Sequence, residues 1–266
     1  MSFIIVLARA NQACHEIARF FCSPCVRHTI DHNDFASATF FFKGDRLIMR
    51  QFLSPAIVAI MLGGLAIAAD VPALVKQLKS SNPEDRREAA TALGKMSSDA
   101  KPAVGALVTA LGDQDKFVRR FAAQALGEIG PDAKGGVKGL SVVLAKPNES
   151  KEVQQAAAIA LGHIGTDGLP ALIGALKDKK LDPSVRSKAA EGLGLLGSGA
   201  GSAVPELTKA LGDTEVRMAA IGALSQMGPT AKESQKALSA IAEDKKNRRD
   251  KALLGAVKDA LKKVKG

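Results

Sequence analysis

The sequence has no Tyr and no Trp, and its 10 Phe are its only aromatic residues. Sheet proteins cover their half-buried faces with aromatic and β-branched side chains, so this scarcity disfavours a β-sandwich or a β-barrel. It also disfavours readers of single-stranded nucleic acid, which stack bases on aromatic side chains. The hydrophobic fraction is nevertheless 46%, carried mostly by Ala, Leu, Val and Ile, which indicates an all-α protein with closely packed helices.

Cysteine is scarce as well, and its position marks a change of composition near residue 69. All 3 Cys and most of the Phe precede this point. The part that follows has no thiol nucleophile and a single imidazole, His163. We therefore treat residues 1–48, 49–69 and 70–266 as separate segments, and we expect only the last to be a folded domain.

Residues 49–69 are organised like a secretory signal. Met49 is followed by one basic residue, an uncharged apolar stretch and small residues that place cleavage after Ala68 or Ala69. We therefore expect the protein to be exported to the periplasm or the extracellular space. The alternative is a membrane anchor formed by residues 52–69, whose 18 uncharged residues are at the lower limit for a bilayer span.

A signal begins where translation begins, so we interpret Met49 as the true initiator and residues 1–48 as a disordered, non-native upstream extension. This extension holds one cluster of residue types that bind zinc: Cys22, Cys25, His28 and His32. The two residues between the Cys pair and the His pair are too few, because a zinc finger uses roughly a dozen there to fold back. We therefore expect no metal site and no cofactor.

Residues 70–266 repeat the motif Ala-Leu-Gly-x-hydrophobic, with two degenerate copies. Its leucines lie 31 to 35 residues apart, at Leu93, Leu126, Leu161, Leu193 and Leu224. In each unit, apolar residues at i, i+3, i+4 and i+7 predict a first helix, and those at i, i+4, i+7, i+8 and i+11 predict a second. Such hairpins cannot bury their apolar faces alone. We predict an α-solenoid of about six stacked hairpins.

Turn-forming residues agree with this pattern. Pro lies in the first turn of three first helices, Asn or Asp lies between the two helices, and Gly follows the second helix. The prolines are Pro72, Pro170 and Pro205, the expected caps are Asn82, Asp113, Asp115, Asn148 and Asp182, and the expected stops are Gly130, Gly165, Gly197 and Gly228.

The phrases at residues 115–130 and 182–194 resemble HEAT repeats, most closely the phycobilisome-lyase HEAT-like type, which is armadillo-like in architecture. The resemblance covers residues 70–266. It implies a ladder in which an Arg early in each second helix meets a loop Asp. The arginines are Arg86, Arg119, Arg186 and Arg217, and the plausible partners are Asp113, Asp178 and Asp213. Gln154 takes the Arg position in the third unit, so we expect an interruption there.

The resemblance also implies two enzyme classes, the bilin lyases and the deoxyhypusine hydroxylases, which hold iron through repeated His-Glu pairs. His163 alone cannot supply the convergent donors that a metal needs. We predict a non-catalytic scaffold that binds a protein partner, and an enzyme or enzyme subunit of these classes is the alternative. We expect a monomer.

The second helices of such a stack line its concave face, which is the usual binding surface of a solenoid. The exposed positions there are Arg120, Gln124, Gln155, Ile159, His163, Glu191, Leu195 and Met218. Three of them are apolar. They form either part of a binding surface or residual packing between helices, and the sequence leaves both interpretations open.

The last unit is strongly basic, with nine Lys and Arg between residues 245 and 265. Its charge forms either a solvated cap or a site for anionic envelope polymers or lipid head groups. Export argues against nucleic acid as the partner.

Native protein therefore should begin at Ala69 or Asp70, because a signal peptidase cuts after the small-x-small motif. N-terminal sequencing of material purified from the native host measures this directly. Recovery of peptides from residues 2–48 would contradict the assignment of Met49 as the initiator.

Overall fold

The computed structural model describes residues 70–266, and the structural statements below concern that part. It contains twelve α-helices and no strand within this range, arranged as six consecutive helical hairpins. The first helices are α1 (Val71–Gln77), α3 (Val104–Ala110), α5 (Val137–Ala145), α7 (Leu169–Lys177), α9 (Val204–Ala210) and α11 (Gln235–Glu243). The second helices are α2 (Pro83–Lys95), α4 (Lys116–Ile129), α6 (Lys151–Ile164), α8 (Pro183–Leu195), α10 (Arg217–Met227) and α12 (Lys251–Lys265). The predicted all-α solenoid of six hairpins is confirmed.

One continuous core runs through the stack, because every hairpin contributes buried apolar residues to it. The motif leucines are fully buried on the second helices, and so is one leucine of each first helix from the second unit onward. The latter are Leu107, Leu140, Leu172, Leu207 and Leu238. Each unit thus covers the apolar face of the next, which is how a solenoid distributes its hydrophobic stabilisation.

Side-chain caps begin several second helices as the sequence predicts. Asn82 accepts a hydrogen bond from the Glu84 amide, and Asp115 accepts from the Val118 amide at 2.9 Å. The expected cap at Asn148 is wrong, because α6 begins after Ser150, whose side chain makes no capping bond. The reason lies in Glu149, whose carboxylate accepts the Ser150 amide at 2.9 Å and so closes this turn itself.

The second helices of units two to five end one or two residues before a residue with positive φ. Gly occupies these positions, at Gly130, Gly165, Gly197 and Gly228. The first junction has Ser97 with φ 50° instead, a conformation that costs a non-glycine residue about 1 kcal/mol. The predicted helix stops therefore lie where the backbone requires glycine.

Neighbouring second helices pack more closely than neighbouring first helices do. A Cβ added at Gly127 would lie 2.9 Å from the Ala160 Cα, and one at Gly162 would lie 2.7 Å from the Gly192 carbonyl oxygen. First helices touch their neighbours much less. The second helices therefore form the tighter layer, and we call their outward surface the inner face.

The first unit differs from the others, as expected of a terminal unit. Helix α1 buries no residue completely, so Val71, Leu74 and Val75 remain half-buried. Asp85 occupies a position that is apolar in the other second helices and accepts a 2.7 Å hydrogen bond from the Ser80 hydroxyl. At this end of the stack, a hydrogen bond between two polar side chains therefore takes the place of an apolar core contact, and both side chains can also bind water.

Gly127→Ala should lower the free energy of unfolding by about 2 kcal/mol, because its methyl group would push α4 away from the α6 backbone. Chemical denaturation monitored by circular dichroism measures this.

The matched control is Gly174→Ala in α7, where an added methyl group meets no atom within 4 Å. This variant should be stabilised by up to about 1 kcal/mol through helix propensity alone. Equal effects of the two substitutions would show that close approach in the second-helix layer does not hold the stack together.

Candidate partner-binding face

The inner face carries the candidate side chains at intervals of four residues along each second helix. On α4 these are Arg120 and Gln124, and on α6 they are Gln155, Ile159 and His163. Four residues of α-helix rise about 6 Å, so the side chains form a row along each helix. All five are exposed or half-buried.

The structure brings these five side chains together in one groove of about 660 Å³, which we call the α4–α6 groove. Gly127 and Ala160 lie at its floor, where the closely packed helices allow no larger side chain. Charged groups line its walls and include both signs. The floor is therefore apolar and narrow, while the rim can form hydrogen bonds and ion pairs.

The remaining three candidates lie elsewhere. Glu191 and Met218 line a second groove of about 440 Å³ between α8 and α10, together with Gln226. Leu195 lines neither groove, although 46% of it is exposed near the end of α8. The three apolar candidates therefore lie in three separate places and do not form one continuous stripe.

Hydrogen bonds between neighbouring side chains hold the polar groups of the inner face in place. Gln124 donates to Glu128 at 3.0 Å, and Gln155 donates to the Ser184 hydroxyl at 2.7 Å across the third and fourth units. Lys188 pairs with Glu191 at 2.6 Å. Within residues 70–266, no three His, Cys, Asp or Glu side chains are close enough to hold a metal ion.

The arginines of the sequence-predicted ladder bridge successive units in three places. Arg86 forms a two-pronged pair with Asp113, at 2.7 and 2.8 Å, and donates to the Ser80 carbonyl of its own loop. Arg119 donates to one oxygen of Glu149 and to the Asp113 carbonyl of its own loop. Arg186 donates to Asp213 alone among the described residues. Each guanidinium thus joins its own unit to an acid of the next unit, and charge-assisted bonds of this kind are the stronger ones.

The partner of Arg119 is Glu149, at 2.5 Å, and Asp178 pairs with none of the four ladder arginines. The loops differ in length, so the sequence interval to the acid differs between units. A second bridge was missed altogether: Arg87 pairs with Asp115 at 2.6 Å. Its signal in the sequence is the second basic residue directly after Arg86.

At Gln154, where an interruption of the ladder is expected, the side chain makes its hydrogen bonds within its own unit. Its amide donates to the carbonyl oxygens of Leu144 and Lys146, at 3.2 and 3.0 Å. Arg217 likewise donates only to its own loop, at the Leu211 carbonyl. Among the described residues, neither side chain reaches a carboxylate of the following unit.

Ion pairing shifts the acids of this ladder toward their charged form. The hydrogen bond from Arg87 is the main reason why the pKa of Asp115 falls to about 2. Hydrogen bonds from Arg186, and then Lys179, hold the pKa of Asp213 well below its usual range. These carboxylates therefore stay ionised, and the loop edge of the stack remains bridged, down to acidic pH.

Two groups of predictions lie outside the described residues: the signal or anchor at residues 49–69, and the cluster of Cys and His within residues 1–48. Between residues 70 and 266, no helix combines the length and the apolar composition that crossing a bilayer requires.

A family model of HEAT repeats matches residues 71–136, 137–211 and 179–257. No curated protein sequence matches the chain. Among solved structures, the chain is similar to an engineered protein at 27% identity, with a TM-score of 0.54 and coverage of 74% of this chain and 96% of that one.

Two natural proteins are similar in fold alone. One is the complex of CpcE and CpcF of phycocyanin lyase from Nostoc sp. PCC7120, at 23% identity, a TM-score of 0.50 and coverage of 73% of this chain and 94% of that one. The other is Kap121p bound to Nup53p, at 16% identity and a TM-score of 0.55, covering 71% of this chain and 22% of that one.

Asp213→Asn should lower the free energy of unfolding at pH 7 by about 2 kcal/mol, because it removes the charge that binds Arg186. The folded pKa of Asp213 is depressed, so its contribution is fully present above the unfolded pKa and decreases as the pH falls below that value toward the folded pKa. Denaturation midpoints at pH 7 and pH 3 measure this, and the difference between wild type and variant should be smaller at pH 3 than at pH 7 without vanishing.

The matched control is Asp178→Asn, which removes a carboxylate that pairs with no ladder arginine and should change stability by less than about 0.5 kcal/mol. A variant of Asp213 that stays as stable as wild type at pH 7 would rule out the ladder as a stabilising feature.

Proposed function

Because this chain belongs to the HEAT-repeat family, we propose that it is a non-catalytic scaffold that binds a protein partner through its inner face. We further propose that it works as a monomer outside the cytoplasm, in the periplasm or the extracellular space, after removal of the segment at residues 49–69. Anchoring through residues 52–69 is the alternative to release.

The α4–α6 groove is the observation that carries this proposal. Five inner-face candidates line it, and its apolar floor lies beneath a rim of mixed charge. An open groove of this kind offers apolar contact in the centre and polar contact at the edge, which is the arrangement of protein interfaces. The phycocyanin-lyase alternative rests on a likeness of fold at 23% identity, which does not extend to activity.

The basic last unit favours a second candidate function, the binding of an anionic envelope polymer or of lipid head groups. Its nine cations form no ion pair with any residue in the described range. Lys258, Lys262 and Lys263 lie on the exposed side of α12, whose opposite side is buried against the stack. Unpaired surface cations attract polyanions, and salt screens that attraction.

Ile159→Asp should abolish capture of the native partner by the purified protein. An apolar side chain of the partner would have to remove water from the new carboxylate in the α4–α6 groove, and burying an unpaired charge is costly. The measurement is quantitative affinity capture from the native envelope fraction, with circular dichroism to verify that the variant is folded. Met218→Asp, in the other groove, tests the same face at a position that is 49% exposed and tolerates a charge.

Val142→Asp is the matched control, because Val142 is 62% exposed on the first helix α5 and lies off the inner face. It should capture the partner as wild type does. Capture that survives both inner-face variants, or that Val142→Asp also abolishes, would refute inner-face binding. Release by moderate salt from every variant alike would instead support the basic last unit as the binding site.

A further inference from the structure

The only two aromatic residues of the stack lie one helical turn apart on α4. Phe117 is 39% exposed, whereas Phe121 is partly buried and packs against the core. In the neighbouring second helices, the position of Phe117 is polar: Glu152, Ser184 and Glu215. An exposed aromatic ring at one unit alone does not follow from the repeat, so stacking of the hairpins does not explain it.

Three cations surround this ring. The guanidinium carbon of Arg87 lies 4.8 Å from the Phe117 ring centre, the Lys116 ammonium lies 5.2 Å away, and the guanidinium carbon of Arg120 lies 5.6 Å away. Arg120 also lies 4.7 Å from the Phe121 ring centre. Such contacts hold a cation over the π-face without using its N–H groups, so the donors of Arg120 stay available.

The three cations differ in what else they bind. Arg87 is neutralised by Asp115 and Glu84. Lys116 and Arg120 form no ion pair and no hydrogen bond with any side chain that the structure describes. Two positive charges are thus held beside an exposed ring and have no carboxylate of their own. A carboxylate from another molecule complements them, and the planar guanidinium binds it with two parallel bonds.

This site is continuous with the α4–α6 groove. Arg120 and Glu152 line both the groove and a smaller cavity of about 210 Å³ that Lys116 and Phe117 also line. The Ser150 hydroxyl at that cavity is buried and has no hydrogen-bond partner among the described residues. Glu152 is the one acid there, so the cavity has a positive balance and a polar wall.

The occupant follows from charge and spacing. A polyanion such as nucleic acid would bring a row of phosphates against Glu152 and Glu128, which also line the groove. An extended peptide can instead bring one acidic side chain. In an extended chain, residues i and i+2 lie about 6.7 Å apart. Ile159 lies four residues, or about 6 Å of helical rise, beyond Gln155, which is the position on α6 equivalent to Arg120 on α4.

We propose that the Phe117–Arg120 site and the adjoining α4–α6 groove bind an extended segment of a partner protein that carries an acidic residue and, two residues away, an apolar one. The carboxylate binds Arg120 and Lys116 above the Phe117 ring, and the apolar side chain packs on Ile159. This inference rests on the proposed function and assigns to it the chemistry of the partner.

The probe is an array of nine-residue peptides that carry Glu, Gln or Lys at one position and Leu, Ala or Ser two residues further on. Wild-type protein should bind the Glu/Leu peptides at least about tenfold more tightly than the Gln/Leu peptides, because hydrogen bonds to a charged group exceed those to a neutral one. In Arg120→Gln this preference for Glu should vanish. In Phe117→Leu it should weaken, since the apolar contact stays and the ring is lost.

The matched control is Lys236→Gln, which removes one exposed positive charge from α11, outside the groove, and should bind as wild type does. Equal binding of Glu and Gln peptides, a preference for Lys, a preference for Glu that survives Arg120→Gln, or the absence of peptide binding would each overturn the proposal.

Partner capture separates this inference from the proposed function. If Ile159→Asp abolishes capture and Arg120→Gln leaves it unchanged, the inner face binds the partner and the acidic anchor is wrong. If neither substitution affects capture, both proposals fail.

Discussion

Close approach of neighbouring second helices is the constraint on which the rest of this structure depends. It requires glycine or alanine wherever two of these helices cross, as at Gly127 against Ala160 and at Gly162 against Gly192. The short spacing brings the second helices together on one side of the stack while the first helices stay further apart. Because these side chains are small, they do not fill the space on the exposed side of the crossing, and the α4–α6 groove opens there.

Polar bridges at the loop edge act on a different part of the same architecture. Hydrophobic contact is not directional, so it does not by itself fix the position of one hairpin relative to the next. The pairs of Arg86 with Asp113 and of Arg186 with Asp213 each join a second helix to the loop of the next unit and provide that direction. Between the third and fourth units, Gln154 faces its own loop, and the Gln155–Ser184 bond is the side-chain hydrogen bond that joins them instead.

Periodicity in the sequence was sufficient to predict the helices, the hairpin count and the core, because the leucine and valine positions recur at nearly constant spacing. It was insufficient where the loops vary in length. Glu149 replaces an aspartate in the ladder and also displaces Asn148 from its expected capping role. The Phe117 cluster was missed for a different reason: its aromatic ring occurs in one unit alone, whereas a repeat pattern reveals only what recurs between units.

Native-state hydrogen exchange of residues 70–266 tests the central claim most directly, because it measures the stability of each helix separately. If the second-helix layer holds the stack together, amides of α4, α6 and α8 should exchange slowest and as one cooperative block. Those of α3, α5 and α7 should exchange faster, and those of α1 fastest. First helices protected as strongly as second helices, or strong protection of α1, would contradict this account.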